Sequence, residues 1–247
     1  MKETKPLMDM PITVEISDAS GKQGDIDVIF DYFKYIEEKF SVYKPNSEIT
    51  KINNGEIGEN ERSEDMKTVF SLSEETKQET NGYFDIVANN GKFNPSGLVK
   101  GWAIYNTAEI LKKRGFKNFY VEAGGDIQVK GKNSKGGCWK AGIRNPFKTQ
   151  EIVKSVCLRK NEGIATSGTY IRGNHIYNPK DRSKKIDEIV SLTVIGPNVY
   201  EADRFATAAF AMGKEGIAFI EKLSGFEGYM IDKNGIATMT TNFEGYL

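Results

Sequence analysis

The chain has one histidine, His175, and two cysteines, Cys138 and Cys157, in 247 residues. The cysteines lie 19 positions apart and match no metal-binding spacing. Each sits in a strand-like stretch, which predicts two buried free thiols in a reducing compartment. Net charge is missing too. The 34 Lys and Arg balance 34 Asp and Glu, so no overall field draws in nucleic acid or an anionic membrane surface. No apolar run approaches the ~18 residues of a membrane span. The amino terminus, MKETKPLMDMPITVEI, lacks the apolar core of a secretory signal and any cysteine for lipid attachment. Together these absences predict a cytoplasmic protein with no membrane span and no nucleic-acid partner. The GxGxxG fingerprint and the Walker spacing are absent as well, which argues against Rossmann and P-loop modes of phosphate binding.

What is present suits a soluble globular chain: 38% hydrophobic and 28% charged residues, with length enough to bury a sizeable core. Residues 11–16 alternate as a strand. Residues 25–40 place Ile26, Ile29, Phe33 and Ile36 on one helical side, and 64–80 and 98–114 read as further helices. Short strands are predicted at 119–123, 127–129, 138–143, 152–158, 163–166 and 189–195. Residues 201–212 and 217–223 read as helices, and 228–231 with 235–240 as a closing hairpin. No repeat, linker or regular βαβ beat appears, so the pattern predicts a single α+β domain over 1–247, with a mainly antiparallel sheet and packed helices.

Five stretches have residue types suited to chemistry, and each also has an ordinary structural explanation. Ala165-Thr166-Ser167-Gly168-Thr169 offers hydroxyls and accessible N–H groups to an anion, or is a plain turn. Asn94-Pro95-Ser96-Gly97-Leu98-Val99-Lys100-Gly101 leads into a helix whose start, with Lys100, suits an anion; capping by Asn94 or Ser96 explains it equally. Asp203 and Thr207 are four apart on one helix face, two hard oxygen donors fit for Mg²⁺, although Asp203 also reads as a first-turn helix acid. Ala123-Gly124-Gly125-Asp126 allows close backbone approach to a ligand, or is a hairpin turn. Tyr83 and Phe84, beside Asp85, provide aromatic faces for a planar ring, or core filler. Together they suggest a Mg²⁺-assisted site for a diphosphate that carries a planar group, such as a nucleotide or flavin.

In order along the chain, FSVYKPNSEITKIN (40–53), GYFDI (82–86), NPSGLVKGWA (94–103), VEAGGDI (121–127), ATSGTYIRGNHIYNP (165–179) and EADRFATAAFAMG (201–213) resemble the ApbE-type FAD:protein FMN transferase family. The resemblance implies an ApbE-like, T-fold-related architecture and transfer of FMN from FAD to a threonine hydroxyl of a target flavoprotein, with Mg²⁺ and release of AMP. It implies Asp203, Thr207 and a backbone oxygen near Gly97 as metal ligands. Met8, Tyr43, Tyr83, Phe84, Asp85, Asn94, Lys100 and Ile176 would line the FAD pocket, with Thr166, Ser167 and Gly168 as a turn beside the diphosphate. His175 would be the base that takes the threonine proton. Asn94 stands where the family commonly has Asp, and Asp9-Met10 where it has Gly-Thr. The short span between GYFD and NPSGLVKG is similar to a compact branch without an export leader. Two rival readings stay open: a Mg²⁺-dependent FAD pyrophosphatase giving FMN and AMP, and a non-catalytic FAD carrier.

Overall fold

Residue alternation and helical spacing produce the elements they predict, and one sheet gathers them. The computed structural model describes residues 1–169, 176–183 and 185–247. Strands β1 (Lys2–Leu7), β2 (Met10–Ile16), β3 (Phe119–Ala123), β4 (Asp126–Lys130), β7 (Gly163–Gly168), β8 (Ile189–Gly196), β9 (Glu227–Asp232) and β10 (Ala237–Met239) form an eight-stranded sheet in that spatial order. Every neighbouring pair is antiparallel. Strands β5 (Trp139–Arg144) and β6 (Ile152–Leu158) make a separate antiparallel hairpin. The fold is α+β, as the interspersed pattern predicts.

Helices cover one face of the sheet. These are α1 (Gln23–Phe40), α2 (Glu48–Asn53), α3 (Glu64–Glu79), α4 (Ser96–Lys113), α5 (Val199–Ala211) and α6 (Gly216–Glu221). Ile26, Ile29, Phe33 and Ile36 of α1 are buried against Ile12, Val14 and Ile16 of β2 and the apolar side of α4. Farther along, Ala202, Phe205 and Ala209 of α5 meet Leu192 and Val194 of β8. The β5–β6 hairpin closes the other face, packing Trp139, Ile143 and Val156 on Ile127, Val129 and Ile231. Burying a Val, Leu, Ile or Phe side chain contributes about 1.5–3 kcal/mol, so both layers are needed to remove β4 from water.

With both faces covered, β4 must satisfy its polar side chains inside the protein. Gln128 is fully buried; its Oε1 accepts the Val199 N–H at 2.8 Å, and its Nε2 donates to the Val129 and Glu162 carbonyls at 3.0 and 3.2 Å. The Val199 N–H is one of the donors that the start of α5 leaves without a partner in its own helix. Asn198 takes the next role, accepting from Glu201 N–H as the helix cap.

Three features differ from the sequence reading. Strand β1 forms from the polar run KETKPL because an edge strand needs only one partner and a half-buried face. Helix α2 forms where Ser47 caps its first turn, accepting from Thr50 N–H at 3.2 Å. The third is a correction: Cys138 and Cys157 are joined in a disulfide across the hairpin, not free thiols. The antiparallel register sets Lys140 opposite Cys157, which brings the Cα atoms of the two cysteines to 5.6 Å. The reducing-compartment argument loses its premise, since disulfides persist in oxidising surroundings. Among the described residues no helix is long and apolar enough to cross a membrane.

A Gln128→Leu substitution leaves the Val199 amide buried without an acceptor and is expected to cost about 1–3 kcal/mol in urea unfolding. Replacing both cysteines by serine opens a closed loop and is expected to lower stability by about 3 kcal/mol, read in urea unfolding against the oxidised parent.

Candidate active site

Helices α4 and α5 meet through glycine. A β-carbon on Gly101 would lie 2.6 Å from the Cβ of Asp203, and one on Gly97 would lie 3.0 Å from Thr207 Cγ2. A larger residue at Gly101, which would also meet the Val199 carbonyl at 2.9 Å, would push the helices apart. The close approach lets Asp203 Oδ2 accept the Gly101 N–H at 2.8 Å and Thr207 Oγ1 donate to the Gly97 carbonyl at 3.2 Å. Asp203, Thr207 and the Gly97 oxygen are therefore neighbours, as the spacing and the resemblance predict.

Lys100 comes from the first turns of α4 and reaches between two carboxylates. Its Nζ lies 2.6 Å from Asp126 Oδ2 and 4.0 Å from Asp203 Oδ1. Burial pushes the Asp203 carboxyl up from 3.8 to about 7, against the pull of Lys100 and with the push of the nearby Asp126 charge. Between those two values the folded chain holds a proton that the unfolded chain has released. Stability therefore falls as pH rises through that window, and a bound cation would offset the loss.

Thr166, Ser167 and Gly168 are strand rather than turn. They are the last residues of β7, paired with Thr193, Leu192 and Ser191 of β8. Ser167 Oγ lies 3.4 Å from Thr207 Oγ1, so β7 supplies a further oxygen beside the Asp203 group. The Thr166 hydroxyl pairs with that of Thr193 at 2.8 Å.

The loop before α4 forms the opposite wall. Asn53 clasps both backbone groups of Phe93, donating to its carbonyl at 2.9 Å and accepting from its N–H at 2.7 Å. Asn94 accepts the Ser96 N–H at 3.2 Å, a local bond that starts the helix. Tyr83, Phe84 and Asp85 follow α3, with Asp85 held by Lys77 at 2.9 Å. Residues 176–183 are strapped over this loop. Tyr177 Oη donates to the Asp85 and Val87 carbonyls at 3.1 and 2.9 Å, and Arg182 donates to Val87 and Ala88.

These elements enclose a cavity of about 260 Å³. Tyr83, Phe84, Asp85, Asn94, Gly97, Lys100, Thr166, Ser167, Gly168, Ile176, Asp203 and Thr207 all border it, so most of the residues predicted from sequence come together. Two do not. Tyr43 lies in the link between α1 and α2 and is 88% exposed, away from the cavity. Met8 packs on the core under the helices, while its neighbours Asp9, Met10 and Pro11 border the cavity. Met8 and Asp9 are the two-residue turn between β1 and β2, with φ of 54° and 57°. Such a turn favours Gly, and Asp tolerates it well, which accounts for Asp9 in place of the family's glycine. His175 falls outside the described residues. The sequence reading missed Met10, Arg144, Tyr177 and Pro179 as lining residues. Arg144 had no local signal, since it ends β5 and arrives only when the hairpin folds across the sheet.

The pattern that defines the ApbE family matches residues 8–91 and 87–230. The chain belongs to the ApbE family. It is 34% identical over 135 residues to the FAD:protein FMN transferase of Vibrio cholerae serotype O1, covering 51% of this chain and 40% of that protein. To the protein of the same name in Escherichia coli K12 it is 28% identical over 163 residues, covering 62% and 46%. The chain thus matches less than half the length of these relatives. Among solved structures, the flavin transferase ApbE of Vibrio cholerae superposes with a TM-score of 0.85 at 20% identity, covering 100% of this chain and 99% of the other. The ApbE protein of Thermotoga maritima gives 0.86 at 19%, covering 100% and 98%. The ApbE fold extends over the whole chain.

Tyr177→Phe removes the donor that pins the 85–88 loop. Amide exchange at Ala88 is expected to quicken about fivefold while the strands of the central sheet keep their protection.

Proposed function

We propose that the chain binds FAD with Mg²⁺ in this cavity and transfers FMN to a threonine hydroxyl of a target flavoprotein, releasing AMP. The observation that carries this reading is the buried Asp203 carboxylate beside Thr207 Oγ1, the Gly97 carbonyl and the Lys100 ammonium. Carboxylate, hydroxyl and carbonyl are the hard oxygens that Mg²⁺ takes, with remaining positions left to water and phosphate. Among the described residues no three His, Cys, Asp or Glu gather as a metal site, so the ion would rest on one carboxylate and neutral oxygens. The donor set fits it.

In this reading Lys100 faces the diphosphate, and Tyr83 and Phe84 offer aromatic surface to the flavin ring. Residues at the end of β7 border the phosphates. When bound, Mg²⁺ would neutralise the diphosphate and favour departure of the AMP oxygen. His175 takes the proton of the acceptor threonine as its oxygen bonds to the FMN phosphorus. The bond from that phosphorus to the bridging oxygen breaks, and that oxygen leaves on AMP. The FAD:protein FMN transferase name of the relatives supports the assignment.

Incubation with FAD, Mg²⁺ and a threonine-bearing acceptor is expected to add the mass of FMN to the acceptor and to release AMP. Asp203→Asn is expected to slow this at least about a hundredfold, and chelation of Mg²⁺ likewise. AMP and free FMN formed just as fast without acceptor would select hydrolysis. FAD bound and recovered intact would select a carrier.

A further inference from the structure

Asp126 has no place in the chemistry above, yet it touches two walls of the cavity. It opens β4 directly after the Gly124-Gly125 turn and is 1% exposed. Its carboxyl lies against that of Asp203 on α5, and its two oxygens also reach two further elements. Oδ1 accepts the Thr166 N–H of β7 at 3.0 Å, and Oδ2 meets Lys100 Nζ of α4 at 2.6 Å. Among the described residues the β4–β7 ladder pairs Gln128 with Gly163 and Ile127 with Ile164. Beyond that point the Thr166 amide takes its acceptor from a side chain instead of a strand. The same carboxylate keeps Lys100 from settling on Asp203, whose Oδ1 remains 4.0 Å away.

We infer that Asp126 is a positioning residue, which fixes the Lys100 ammonium and the Thr166 end of β7 at a set spacing so that both face a bound diphosphate. The inference rests on the FAD reading. Its physical basis is that a half-buried ammonium beside a buried carboxylate settles on the acceptor within reach. With Asp126 in place that acceptor lies on the β7 side of the cavity. With Asp126 neutralised, the nearest remaining carboxylate is Asp203, and Lys100 would be drawn onto the atoms that hold the cation.

The sign of one substitution separates positioning from charge. Asp126→Asn removes a negative charge beside an anion site, so charge alone would tighten FAD binding. Positioning predicts the opposite: FAD affinity, titrated with excess Mg²⁺, falls roughly tenfold or more. Lys100→Met should also weaken FAD, and adding Asp126→Asn to it should cost little more, because the lysine that Asp126 directs is gone. The double variant leaves neither of these two charges buried without the other, so it carries the test if Asp126→Asn alone does not fold. Amide exchange at Thr166 should quicken in Asp126→Ala, which removes the acceptor, while Ile164 stays protected, which a general loss of stability would not produce. FAD binding in Asp126→Asn equal to or tighter than in the parent would overturn the inference, as would additive losses in the double variant. If the unaltered chain takes up no FAD, the flavin reading itself falls, and this inference with it.

Discussion

At the crossing of α4 and α5, the side chains of Asp203 and Thr207 occupy space that β-carbons on Gly97 and Gly101 would need. The rest of the site depends on this contact. It converts two helix faces into a single group of oxygens, since the Asp203 carboxylate bonds to α4 backbone and Thr207 bonds back to Gly97. It also sets the height at which Lys100 emerges, one position before Gly101. A larger residue at Gly101 would therefore disturb the metal-type oxygens, the lysine and the packing on the sheet together.

Burial has opposite effects on the two buried polar residues of β4. Gln128 is neutral and fully satisfied, so it steadies the start of α5 at little cost. Asp126 is charged and depends on Lys100 and the Thr166 amide for its place. Both point to the helix side of the sheet, where α4 and α5 cover them. The β5–β6 hairpin covers the other face, to which Ile127 and Val129 point. It also sends Arg144 from its own end to the cavity. At Asp203 burial favours the neutral carboxyl, which leaves a site that gains from a cation.

Much of this was legible in the sequence. Alternation located β2, β3 and β8, and helical spacing located α1 and α4, because one face of each must be apolar to reach a core. The pairing of Asp203 with Thr207 followed from helix geometry alone. The loops before α4 and the end of β7 were recognisable by residue type and by their order along the chain. Tyr43 was named from a loop motif, which says nothing of which way the loop faces, and its ring is exposed. The cysteines were misread for a similar reason, since their partnership depends on strand register and not on spacing.

The sequence by itself determined most of the elements, the α+β class and the residue types of a diphosphate and cation site, because these depend on local periodicity and on the chemistry of single side chains. Only the tertiary structure decided which of those residues meet. Asp126 joins Lys100 to Thr166 across 26 and 40 positions of chain, and Arg144 enters from the hairpin, because the antiparallel register and the close helix crossing bring distant segments together. Those distances are set by packing, which no local pattern encodes.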